Sequence, residues 1–156
     1  MRAPADMADY TAQEKRGRSL YGRESCGYCH TQQVRLVAED VTSWGAPTQA
    51  WETRFDYPQL WGTRRIGPDL ARESGVRSND WQHTHLFSPR FVVDESVMPG
   101  YPWLFEGDAI EPAAHALSLV AYLLALGRPR IVSGSTMRRR LHQWPRVMPT
   151  ACMRPS

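Results

Sequence analysis

Cys26-Gly27-Tyr28-Cys29-His30 is the stretch on which the reading of this chain turns. Two cysteines separated by two residues, with histidine directly after, form the attachment pattern of a covalent c-type haem. The two thiols add across the haem vinyl groups as thioethers. The next residue then places an imidazole under the iron. Half of a zinc site is the competing reading, but zinc asks for four ligands and no second cysteine pair follows. The expected cofactor is therefore one covalent heme c, held by Cys26, Cys29 and His30.

The iron needs a second protein ligand if it is to carry electrons. Histidine with methionine raises the potential relative to two nitrogens, because a thioether favours ferrous iron. Met98 is the candidate. It lies in Ser96-Val-Met-Pro-Gly-Tyr-Pro-Trp103, stiffened by Pro99 and Pro102, and a stiff loop holds a weak ligand at low entropic cost. Core packing is the alternative role for such a methionine. His83 and His85 compete for the position, and His115 and His142 are further imidazoles. A haem histidine also needs an acceptor for its other ring nitrogen. Pro68, in Gly67-Pro68-Asp69-Leu70, is the candidate, as a proline carbonyl does this in small cytochromes c. The haem propionates call for donors. Arg64 and Arg65, beside the Trp61 N–H, are candidates, with Arg90, Tyr101 and Trp103 as alternatives.

The 156 residues suffice for one domain. Six Trp, six Tyr and four Phe can line a flat apolar cofactor. The third cysteine, Cys152, has no fourth to pair with, so no internal disulfide framework is expected once the haem motif is filled. All sixteen acidic residues lie at or before Glu111, whereas seven arginines follow Gly127. The net charge of +3 and the pI near 9.0 thus describe the tail, and give no support to nucleic-acid binding. The polar start has no apolar signal region. The stretch from Ala113 to Leu126 is shorter than the roughly 20 apolar residues that span a bilayer. Covalent haem is attached on the periplasmic side of a bacterial membrane, so a leader or anchor outside this sequence, or export as part of something larger, is expected.

Residues 1–10 read as a disordered lead-in, 11–127 as the haem domain and 128–156 as a basic, flexible tail. Thr11 and Glu14 have capping-box spacing, which predicts a helix over 12–23 with Leu20 and Tyr21 inward. Trp51, Phe55 and Leu60 are spaced for one face of a short helix near 47–60, with Pro47 in its first turn. Residues 78–87 read as a helix capped by Ser78 or Asn79 and stopped by Pro89. A last helix is predicted with Pro112 in its first turn and Gly127 at its end.

Several strings together resemble a known family. They are Arg16-Gly-Arg-Ser-Leu-Tyr21, Glu24-Ser-Cys-Gly-Tyr-Cys-His-Thr-Gln-Gln-Val-Arg35, Tyr57-Pro-Gln-Leu-Trp-Gly-Thr-Arg-Arg-Ile-Gly-Pro-Asp-Leu-Ala-Arg72, Trp81 with His85-Leu86, Ser88-Pro-Arg90 and Met98-Pro-Gly-Tyr-Pro-Trp103. Over residues 11 to 127 the chain resembles the mono-haem cytochrome c subunit, subunit II, of cbb3-type oxidases. The resemblance implies an all-α, class I-like cytochrome c fold of short helices around one covalent haem with His/Met ligation. It implies electron relay toward an oxygen-reducing, haem-containing membrane subunit from an electron-donor cytochrome, on the periplasmic side of the inner membrane. No catalysis of the chain's own is expected. A free-standing periplasmic shuttle shares this chemistry and differs only in partners. A haem enzyme or gas sensor requires an open or labile sixth position.

Overall fold

The computed structural model describes residues 7–107 and 110–128. It is mostly helical, with four α-helices among these residues: α1 (Ala12–Arg23), α2 (Ala38–Trp44), α3 (Asn79–Phe87) and α4 (Ala114–Leu123). Single tight turns span Cys26–Tyr28, Pro89–Phe91 and Pro102–Leu104. One addition to the all-α expectation is a two-residue antiparallel pair, β1 (Phe105–Glu106) with β2 (Glu111–Pro112). The architecture is consistent with a cytochrome c-like fold. No helix among the described residues is long and apolar enough to cross a membrane.

The scaffold is the packing of α1 on α4. Thr11 caps α1 by the expected capping box: its hydroxyl accepts from Glu14 N, and Glu14 Oε2 accepts from Thr11 N at 2.7 Å. Leu20 and Tyr21 from α1 and Ala116, Leu119, Val120, Tyr122 and Leu123 from α4 are buried together. Each large side chain in this contact contributes about 1.5–3 kcal/mol by leaving water. Gly17 permits the close approach. A Cβ there would stand 1.9 Å from the Ser118 carbonyl oxygen and 2.7 Å from Tyr122 Cβ.

α4 begins later than its proline suggested. Pro112 lies in β2, Ala113 caps the helix, and Ala113 N donates to Leu104 O at 3.2 Å. Its regular turns end at Leu123. Tighter turns carry the chain to Gly127, whose φ of +75° is the left-handed conformation glycine favours.

The helix predicted near 47–60 is absent, and a different one, α2, forms upstream. Polar side chains decide both. Asp40, in the first turn of α2, accepts from Arg35 N, Nε and Nη2 at 2.9–3.0 Å. Residues 47–60 are instead pulled apart by partners elsewhere. Thr48 exchanges two bonds with Val34. Glu52 holds the Arg72 guanidinium through both oxygens. Asp56, almost wholly buried, accepts from the Tyr10 hydroxyl at 2.8 Å and from Arg18 Nε at 3.0 Å.

Of the lead-in at 1–10, residues 1–6 lie outside the described residues. Met7 and Tyr10 are buried, so residues 7–10 join the core before α1 starts. The tail beyond Arg128, with His142 and Cys152, also lies outside the described residues. Arg128 itself bonds Glu14 at 3.0 Å.

Candidate haem-attachment site

α1 ends at Arg23, and Ser25, with φ +63°, turns the chain sharply into the motif. Cys26 O then accepts from Cys29 N at 3.2 Å and His30 N at 3.0 Å, which coils the two thiols and the imidazole onto one turn. Both thiols are free, Cys26 buried and Cys29 partly so. Burial pushes the Cys26 thiol up to about 11. His30 is buried, and burial lowers its pKa against the opposing effect of a hydrogen bond to Pro68.

That bond fixes the ring. His30 Nδ1 lies 2.8 Å from the Pro68 carbonyl. A carbonyl only accepts, so Nδ1 carries the proton and Nε2 keeps its lone pair free for a metal. Gly67 lies close against the imidazole, where a Cβ would stand 2.2 Å from His30 Cε1. The segment 60–70 is clamped to the motif by Gly67 N to Cys29 O at 3.0 Å, Leu70 N to Thr31 O at 2.8 Å and Gly62 N to the Thr31 hydroxyl at 2.9 Å.

Met98 is half-buried against the core cluster that holds Cys26 and Tyr101. Its loop is pinned at both ends. Arg90 Nε donates to Ser96 O at 3.2 Å, and Tyr101 N donates to Leu86 O at 2.8 Å. Trp103 Nε1 donates to Glu24 Oε2 at 3.1 Å, and the Tyr101 hydroxyl lies 3.5 Å from Glu24 O. The loop is thereby tied to the turn that precedes Cys26. Burial, and then the nearby Cys26, push the Tyr101 hydroxyl up to about 12.

The propionate-donor candidates separate. Arg64 and Trp61 are exposed. Arg65 is largely buried, its Nη2 donating to Gln33 O at 2.8 Å, Asp40 at 2.5 Å and Asp69 at 3.2 Å. Its Nε and Nη1 are buried with no partner. A guanidinium N–H buried without an acceptor is costly, so these two donors ask for an anion. The Arg90 guanidinium and the Trp103 N–H already have the partners given above. His115 is exposed on α4, and His83 and His85 lie on α3.

Glu24, Gly67 and Asp40 are the residues that sequence reasoning missed. Gly67 carried a signal, since a glycine beside the histidine's acceptor is a place where a ring can meet backbone. Glu24 and Asp40 carried none, because their partners are distant in sequence or fixed by an unforeseen helix.

The donor set suits a covalent haem. Two free thiols and a neutral imidazole share one turn, and a guanidinium with two unsatisfied donors lies on the segment that clamps it. Among the described residues no three His, Cys, Asp or Glu side chains converge as they would on a bare ion. Two thiols and one imidazole are the attachments needed by a ring that already supplies four nitrogens to its iron. A comparison with curated proteins found no match. The family model described as cytochrome c oxidase, mono-heme subunit/FixO, matches residues 1–120. With most of its length matched, and the attachment turn inside the match, the chain belongs to the FixO family of cytochrome c oxidase mono-heme subunits.

Proposed function

We propose that the chain transfers electrons through one heme c, bound covalently by Cys26 and Cys29 and ligated axially by His30 and Met98. It does so on the periplasmic side of a bacterial inner membrane. The 2.8 Å contact between His30 Nδ1 and the Pro68 carbonyl carries the reading, because it orients an imidazole beside two free thiols with Nε2 left open. When bound, the haem supplies an iron that cycles between ferric and ferrous states. The chain's own residues attach it, orient it and exclude water. Burial keeps His30 neutral, the form that binds iron. Arg65 offers Nε and Nη1 to a propionate, while Asp40 and Asp69 hold the rest of its fork. Family membership supports oxidase subunits as partners: a haem-containing membrane subunit as acceptor and a cytochrome as donor. Residues 11–127 form the haem domain in this reading, and 128–156 a basic extension.

The test is expression with the periplasmic haem-attachment machinery. The wild-type chain is expected to retain haem through denaturing electrophoresis and to show the ferric charge-transfer band of methionine ligation. Cys26→Ser with Cys29→Ser is expected to lose covalent haem, and Met98→Leu to lose the band. Covalent haem without that band in the wild type would overturn the His/Met assignment.

A further inference from the structure

We infer that Glu24 is a positioning residue for the sixth ligand: its carboxylate, bonded to the Trp103 indole, sets how firmly the loop of Met98 stays closed on the iron. The inference rests on the His/Met reading above and adds the residue that secures the weaker of the two ligands.

Nothing in α1 itself explains an acid at this position. Glu24 is the C-cap of the helix, its backbone N–H donating to Leu20 O at 2.8 Å. The end of a helix gathers partial negative charge on its free carbonyls, so a carboxylate is disfavoured there. The side chain is nonetheless only 12% exposed, and both of its oxygens are engaged. Oε1 accepts from Arg23 Nε at 3.0 Å, a contact between chain neighbours. Oε2 accepts from Trp103 Nε1 at 3.1 Å, a contact across 79 residues of sequence. The backbone of Glu24 is thus fixed to the scaffold helix while its side chain reaches the loop of the sixth ligand.

The rest of that loop is fastened on the side of α3. Arg90 Nε donates to Ser96 O at 3.2 Å, Ser96 N to Val93 O at 3.0 Å and Tyr101 N to Leu86 O at 2.8 Å. Gly100 lies so close to the end of α3 that a Cβ there would stand 2.6 Å from Phe87 O. Toward the attachment turn, among the described residues, both oxygen acceptors for residues 96–103 belong to Glu24: the carboxylate for Trp103, and the backbone carbonyl 3.5 Å from the Tyr101 hydroxyl. Trp103 and Tyr101 meet edge to face at 5.3 Å, and Tyr101 is buried in the same cluster as Cys26. Trp103 is itself 62% exposed, so apolar burial contributes little to keeping it in place and the bond to Glu24 contributes more. Losing that bond frees one flank of the loop, and a weak thioether ligand leaves when its loop opens locally.

The experiment follows ligand exchange on the ferric holoprotein by stopped flow. With imidazole in excess, its binding levels off at the rate at which Met98 leaves the iron. Trp103→Phe keeps a ring without the donor, and Glu24→Ala removes the acceptor. Each is expected to raise the limiting rate roughly tenfold, the lower end for one hydrogen bond to a charged group. Glu24→Gln, which keeps an acceptor without the charge, should fall between the wild type and Glu24→Ala. The double variant Glu24→Ala/Trp103→Phe should be no faster than either single one, because the two side chains form one contact. A merely structural role would lower the denaturant midpoint and leave the limiting rate unchanged, and that result overturns the inference. Additive effects in the double variant overturn it as well, since the two residues would then act separately. The ferric methionine band of the wild type keeps the two readings apart. Unchanged rates with the band present remove the role of Glu24 alone, whereas a wild type without the band removes the His/Met assignment and this inference with it.

Discussion

The α1–α4 pair and the segment 31–77 are built on different physics. The helix pair is apolar: Leu20, Tyr21, Leu119, Val120 and Leu123 meet where Gly17 lets two backbones touch. The segment that holds His30 in place has one short helix. Its shape comes from Arg35 and Arg65 on Asp40, Arg72 on Glu52, Arg18 on Asp56, and backbone bonds to the attachment turn. The first region is a scaffold that apolar burial makes stable. The second is a mould whose geometry depends on charge pairs and close backbone contact. The two are joined at Tyr122, whose ring packs against Tyr21 and whose hydroxyl donates to Gln32 at 2.9 Å.

Substitutions that strike one region and spare the other break this comparison. Gly67→Ala has the largest expected effect. The new methyl falls 2.2 Å from His30 Cε1, so covalent holoprotein should drop to background on haem-stained gels. Wild-type yield would show that the mould can yield. Gly17→Ala comes next, because the new Cβ meets Ser118 backbone rather than a movable side chain. It should cost about 3 kcal/mol, the upper end for overpacking, in denaturant unfolding. The haem spectrum of the folded fraction should be unchanged. Asp40→Asn removes the carboxylate shared by Arg35 and Arg65, at about 2 kcal/mol for charge-assisted bonds. Its hydrogen-exchange losses should fall in 33–70 and spare α1 and α4.

Acid should act on the mould before the scaffold. The bonds from Arg35, then the charge of Arg65, hold the Asp40 carboxyl at about 2. Its folded pKa is thus below the unfolded value near 4, and its contribution is complete above pH ~4 and is lost as pH falls through 2. Asp69 works in the other direction: burial raises its carboxyl, so it protonates earlier in the folded state and softens the loss. Tryptophan fluorescence, with Trp44, Trp51 and Trp61 in this segment, should change below pH ~4 before far-ultraviolet circular dichroism reports loss of helix. Coincident transitions would mean that the two regions unfold as one. The smallest effect is expected for Pro68→Ala. The bond to His30 is made by the backbone carbonyl, which alanine keeps, so the ligand spectrum should persist with a loss of up to ~1 kcal/mol from a more flexible unfolded chain.

The same division explains what could be read from sequence. Thr11 with Glu14, and Ser78 before α3, are local signals, and α1 and α3 appear where they predicted. Cys26, Cys29 and His30 are a local motif too. The spacing of Trp51, Phe55 and Leu60 gave an equally good local signal for a helix, and it misled. Thr48, Glu52 and Asp56 bind Val34, Arg72 and Tyr10, and no window of sequence contains those pairs. Pro112 misled for a related reason, since β2 forms only once Phe105 and Glu106 are beside it.

The seat of His30 makes the site unequal from its two sides. Gly67 lies against the ring, Pro68 occupies Nδ1, and Gly67 N–H is fastened to the attachment turn itself. A small molecule arriving from solution finds no vacancy behind that imidazole. Under the proposed His30/Met98 ligation, carbon monoxide, nitric oxide or cyanide would have a single approach, through the loop of Met98. The protein's resistance to poisoning is then decided on that side alone.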